Sequence, residues 1–156
     1  MTKQRSRTLG VPAHVTVLYP FLPPDAIDER ALAALAAAAA SVPAFDCRFE
    51  RTGWFGDEVL YLLPDPAEPF RRLTAAVWAA FPSCPPYAGA HDGSAPHLTV
   101  AERVLADREG APGALAVAEA HVSEQLPVPQ RVDELLLIAG SSLQGSWRTM
   151  RRLPLG

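Results

Sequence analysis

The chain has 156 residues, 49% of them apolar and 20% charged, with a formal net charge of −3. That is enough for one domain with a real core, or two small lobes sharing one, and it excludes a disordered chain. A weakly acidic balance attracts no long polyanion, yet leaves room for a grip on a single phosphate or a strand end.

No apolar run reaches the ~20 residues a membrane helix needs. The alanine-rich AALAAAAASV is too short, and the basic start MTKQRSRTLG leads into no secretory apolar region, so no membrane and a cytoplasmic location are expected. Cys47 and Cys84 are spaced as neither a metal nor a redox motif and read as packing thiols.

The first element is PAHVTVLYPF, residues 12–21. Read as a strand, it puts His14 and Thr16 on one face and Val15 and Val17 on the other. FLPPD then breaks the chain, and Asp25 or Asp28 could cap a helix over residues 29–42, with Leu32, Leu35, Ala39 and Val42 along one side and Pro43 as its stop. Alternation in FDCRFER (45–51) predicts a strand, TGWFGDE a turn, and VLYLL (59–63) a returning strand. Phe70, Leu73, Val77 and Phe81 predict a helix over 67–81.

A proline- and glycine-rich loop over 82–96 leads into PHLTV, residues 96–100, a second version of the first element. His97 and Thr99 share one face, backed by Leu98 and Val100. A helix follows at about 113–125, ended by Pro127 and Pro129, then a strand VDELLLIAG (132–140), the turn SSLQGS and a closing strand WRTMRRL (147–153).

The halves repeat as histidine strand, helix, strand, turn, strand, with His14 and His97, and then Pro43 and Pro127, at corresponding places. Two copies are too few for a solenoid. The pattern predicts an α+β fold of two pseudo-symmetric lobes, duplicated units with mostly antiparallel sheets, within one bilobal domain over residues 1–156. Lobe 1 takes about 11–66 with part of the following helix, and lobe 2 about 83–156. Both histidine–threonine faces would then line one central cleft.

Two histidines across a cleft suit acid–base catalysis at phosphorus, one taking the proton of the attacking hydroxyl or water and the other protonating the departing oxygen. Thr16 and Thr99, each about 6–7 Å along the strand from its histidine's Cα, could donate to the non-bridging oxygens. The scheme calls for no metal and no other cofactor. No P-loop, HExxH, GxSxG or dinucleotide fingerprint is present in the sequence.

The pair HVTV and HLTV resembles the signature of the two-histidine phosphoesterase superfamily, specifically its 2′-5′ RNA ligase-like group. GVPAHVTVLYPF, TGWFGDEVLYL and SWRTMRRLPLG also look like bacterial members of that group. The resemblance implies a duplicated α+β fold with a central groove. It further implies metal-independent hydrolysis or transfer at 2′,3′-cyclic phosphates or 2′-5′ linkages, on RNA ends or small nucleotides. It makes His14 and His97 the acid–base pair, and Thr16 and Thr99 the phosphate donors. Members carry a strand well before the first motif, where this chain has about ten residues, so one lobe would lack an edge strand. They also place arginine five residues after the second histidine. Here Glu102 holds that place and Arg103 follows it, facing the opposite way on a regular strand unless a bulge restores it as a phosphate contact.

Other residues carry two readings. Trp54, Phe55 and Tyr87 could stack on a base or pack internally. His91 and Asp92 could contribute to a metal site or lie in a polar loop. His121 reads as a helix-surface residue, and Arg148, Arg151 and Arg152 as a solvated strand edge or a phosphate-attracting cluster. Against the enzyme stand a non-catalytic module that binds nucleotides or RNA ends in the same groove, and a metal-binding protein built on four histidines.

Overall fold

In the computed structural model, which describes residue 11 and residues 13–90, 95–102, 113–143 and 145–156, the described residues form three helices and two antiparallel sheets, an α+β fold. Helix α1 is Glu29–Ala40, and Asp28 is the residue that caps it, its Oδ1 accepting from the Ala31 N–H at 2.8 Å. Its alanines favour helix and let neighbours approach closely. Helix α2, Glu68–Ala80, buries Phe70, Leu73, Thr74 and Val77 at the predicted spacing.

Strands β1 (Phe45–Phe55) and β2 (Val59–Asp65) make a hairpin. The tip is shorter than TGWFGDE suggested: Thr52–Phe55 continue the ladder and pair with Val59–Leu62, leaving Gly56–Glu58 as the turn. Gly56, at φ 57, supplies the left-handed backbone that the reversal needs. The strand wins over the turn because cross-strand pairing rewards the aromatic residues there.

Strand β3 (Leu98–Glu102) adds to β2, and β4 (Val128–Val132) adds to the other edge at β1, giving the order β3-β2-β1-β4. The sheet therefore takes two strands from each half of the sequence. The preceding helix ends at Ser123, before Pro127 and Pro129 as expected, and Pro129 then joins a strand. It lies inside β4, an edge strand, where one side of the ladder needs no N–H. The predicted strand 132–140 breaks at Asp133: β4 ends at Val132, and β5 (Glu134–Ala139) belongs to a second sheet with β6 (Arg148–Pro154). Gly156 ties that sheet's end to the segment after α1, donating to the Val42 carbonyl at 2.9 Å and accepting from the Ala44 N–H at 2.8 Å.

Each sheet has its own core. Leu35, Ala38 and Ala39 of α1 meet Val77 and Phe81 from α2 and its end, and Leu137 and Leu153 of the small sheet. Cys47, Phe49, Leu62 and Phe70 form the second cluster, joined by Val122 and Leu126 from helix α3 (Ala114–Ser123) and the residues after it.

Candidate active site

The first motif is not a strand. Residues 13–18 run outside both sheets, and the backbone is held by other groups: the buried Thr74 hydroxyl donates to the Val17 carbonyl at 2.8 Å, and the Tyr87 N–H donates to the Tyr19 carbonyl at 2.6 Å. Val17 and Leu18 pack on the helix-side core, while Val15 packs on the core beneath the large sheet. His14, which is exposed, and Thr16, half-buried, flank Val15 in the chain.

The second motif opens strand β3. Leu98 and Val100 turn inward onto the cluster that also receives Val15, so these three residues of the two motifs rest on one hydrophobic base. Thr99 lies directly opposite Tyr61 and takes the outer face. Val59 and Tyr61 pair with Glu102 and Thr99, so Val100 is an extra residue on β3. This bulge brings Glu102 onto the Thr99 face. Arg103, His91 and Asp92 lie outside the described residues.

His97 stands half-buried just before β3. Its Nδ1 lies 2.8 Å from the Ala95 carbonyl. A carbonyl oxygen only accepts, so Nδ1 carries the proton and the neutral ring keeps its lone pair on Nε2. Phe55 meets the imidazole edge-on, with centroids 4.8 Å apart at 82°, and Tyr61 approaches at 5.3 Å and 55°. Phe55 and Tyr61 touch each other at 4.4 Å. His97, Thr99, Phe55 and Tyr61 thus form one patch at the outer face of β1, β2 and β3.

Trp54 does not join that patch. One residue along the strand from Phe55, it faces α3 and donates its indole N–H to Glu119 Oε1 at 3.0 Å. Tyr87 is half-buried in a loop with left-handed backbone at Tyr87 (φ 50) and Ala88 (φ 53), and burial raises its phenol pKa above the ordinary 10.0. His121 is exposed on α3 and accepts from the Gln125 amide at 3.1 Å. On β6, Arg152 pairs with Glu134 and Arg151 donates to the Met150 carbonyl. A surface depression lined by Glu50, Arg51, Thr52, Ser123, Leu126 and Pro127 holds none of the motif residues. Among the described residues, no cluster of three or more His, Cys, Asp or Glu side chains could hold a metal ion, and no helix is long and apolar enough to cross a membrane.

Tyr61 escaped the sequence reading. VLYLL showed it as one position of a strand, and the signal that could have found it was the glycine at 53, across the hairpin.

The model of the 2'-5' RNA ligase superfamily matches residues 3–142, and the protein belongs to this family of two-histidine phosphoesterases. Membership supports phosphoesterase-type chemistry in general, by a phosphodiesterase or a ligase. No curated protein matches the chain.

Proposed function

We propose that the protein is a metal-independent phosphodiesterase of the cytoplasm, acting on 2′,3′-cyclic phosphates or 2′-5′ linkages at RNA ends or in small nucleotides. His14 and His97 are the acid–base pair, and Thr16 and Thr99 donate to the non-bridging phosphate oxygens. On a cyclic phosphate, one imidazole takes a proton from water as the water oxygen bonds to phosphorus. The bond from phosphorus to one ribose oxygen breaks, and the second histidine, as imidazolium, protonates that oxygen. The product is a phosphomonoester, and the two histidines exchange protonation states. With a ribose hydroxyl in place of water, the same groups deprotonate that hydroxyl as it bonds to phosphorus and protonate the ribose oxygen released from the cyclic phosphate, which forms a linkage.

The observation that carries this reading is the His97 ring, with Nδ1–H on the Ala95 carbonyl and Nε2 left to exchange a proton. It is supported by the shared hydrophobic base under Val15, Leu98 and Val100. Phe55, beside His97, offers a stacking surface to a base.

The test is hydrolysis of a 2′,3′-cyclic nucleotide, and of an oligonucleotide with a cyclic end, in the presence of EDTA. Turnover survives the chelator and falls at least about 100-fold in both His14→Ala and His97→Ala. A folded wild type that binds the oligonucleotide and never cleaves it would overturn the reading in favour of a non-catalytic RNA-end binding module.

A further inference from the structure

The hydrogen bond at Nδ1 holds one edge of the His97 ring. Phe55 and Tyr61 meet the ring on its other sides, and this pair has an unusual seat. Gly53 lies directly opposite Tyr61 in the β1–β2 ladder, and Thr99 lies opposite Tyr61 on the β3 side. A Cβ placed on Gly53 would fall 2.4 Å from Cε2 of Tyr61, 2.7 Å from Cζ and 2.9 Å from the hydroxyl oxygen. The phenol ring therefore lies across bare backbone, in space that any side chain at 53 would take. From that seat it reaches both Phe55 and His97.

We propose that Tyr61, seated on Gly53, is a positioning residue for the His97 imidazole: it fixes the ring plane and so the direction in which Nε2 presents its lone pair or proton. The catalytic half of this proposal rests on the acid–base reading of His97; the structural half does not. Any residue larger than glycine at 53 pushes the Tyr61 ring out of its seat and releases His97, although residue 53 itself touches nothing that reacts. Displacement of a catalytic group by an ångström or less is enough to slow a reaction strongly.

Two readouts test it on the full chain. The imidazole proton resonances of His97, assigned by their loss in His97→Ala, report the neighbouring ring currents whether or not the enzyme turns over. In Gly53→Ala and Tyr61→Leu these resonances shift, and kcat falls about 10–100-fold with KM within about twofold. Tyr61→Phe keeps the ring and recovers both the resonances and most of kcat relative to Tyr61→Leu. Should Gly53→Ala fail to fold, Tyr61→Leu against Tyr61→Phe carries the same comparison. Unmoved His97 resonances in a folded Tyr61→Leu variant overturn the proposal, as does a shift with kcat unchanged. If the wild type turns over no substrate, the acid–base reading fails by itself, and the resonances alone decide whether Tyr61 places the ring.

Discussion

Trp54 and Glu119, in a strand and a helix far apart in the sequence, meet through a 3.0 Å hydrogen bond from the indole N–H to Oε1. The same oxygen accepts the Thr52 hydroxyl at 2.8 Å. One carboxylate on α3 thus holds the end of β1 from beneath, and the next residue, Phe55, stands on the opposite face against His97.

Glu119→Ala removes the shared acceptor and leaves two donors facing a half-buried space. The expected cost is about 1–3 kcal/mol, from the unmet donors. Thermal unfolding measures it, at about 2–4 °C per kcal/mol for a domain of this size. Glu119→Gln keeps an acceptor oxygen and loses less. Equal melting temperatures for the two variants would mean that these hydrogen bonds contribute nothing.

Thr74 is only 6% exposed, and its hydroxyl anchors the Val17 carbonyl three residues after His14. Thr74→Val keeps the shape and removes the donor. Stability falls by about 1–3 kcal/mol if the carbonyl stays dry, and kcat/KM falls several-fold because the first motif has lost a backbone anchor. Thr74→Ser, which restores the donor, recovers most of kcat/KM. Urea unfolding and steady-state kinetics on the same three proteins check both parts.

Ala88 has φ 53, between Tyr87 at φ 50 and Gly89 at φ 86. A left-handed L-residue costs roughly 1–2 kcal/mol, whereas glycine there costs about 0.4–1 kcal/mol through the freer unfolded chain. Ala88→Gly is therefore expected to be neutral or stabilising by up to about 1.6 kcal/mol. Ala88→Val, branched at Cβ, is destabilising. Chemical denaturation of the pair reads the difference directly, and a destabilised Ala88→Gly would contradict a left-handed backbone at this position.

Cys47 is 3% exposed, and burial, followed by the charge of Asp46, raises its thiol pKa above the ordinary 9.0. The thiolate is the reactive form. Iodoacetamide at pH 8 should modify half-buried Cys84 first and leave Cys47 unmodified until the protein unfolds, which mass spectrometry resolves. The raised value also fixes a sign for stability. Below pH about 9 the thiol is protonated in both states and its contribution is fully present. As pH climbs from there through the folded-state value, the unfolded chain ionises first and stability drops. Tyr87, raised from 10.0, adds a loss in the same direction. Cys47→Ala should flatten the alkaline part of the stability curve.

Much of this protein was legible in the residues themselves. Asp28 before an alanine run, the alternation of Phe45, Cys47 and Phe49, and the spacing of Phe70, Leu73 and Val77 each determine an element, because caps, period and propensity act over a few neighbouring residues. The doubled histidine–threonine motif pointed to a phosphoesterase family that the chain does belong to. Partner and face were decided only in three dimensions. Pro129 enters a strand because β4 is an edge; the apolar run after it splits at Asp133 because its two parts pair in different sheets; residues 13–19 stay off both sheets while Thr74 and Tyr87 hold the Val17 and Tyr19 carbonyls. Trp54 and Phe55 are adjacent in sequence, yet one is bound to α3 and the other leans on His97. Tyr61 reaches that histidine only because Gly53 lies across the ladder. Local sequence determines what a segment can become, but pairing and packing join residues far apart in the chain, and their energies come only from contacts that exist after folding.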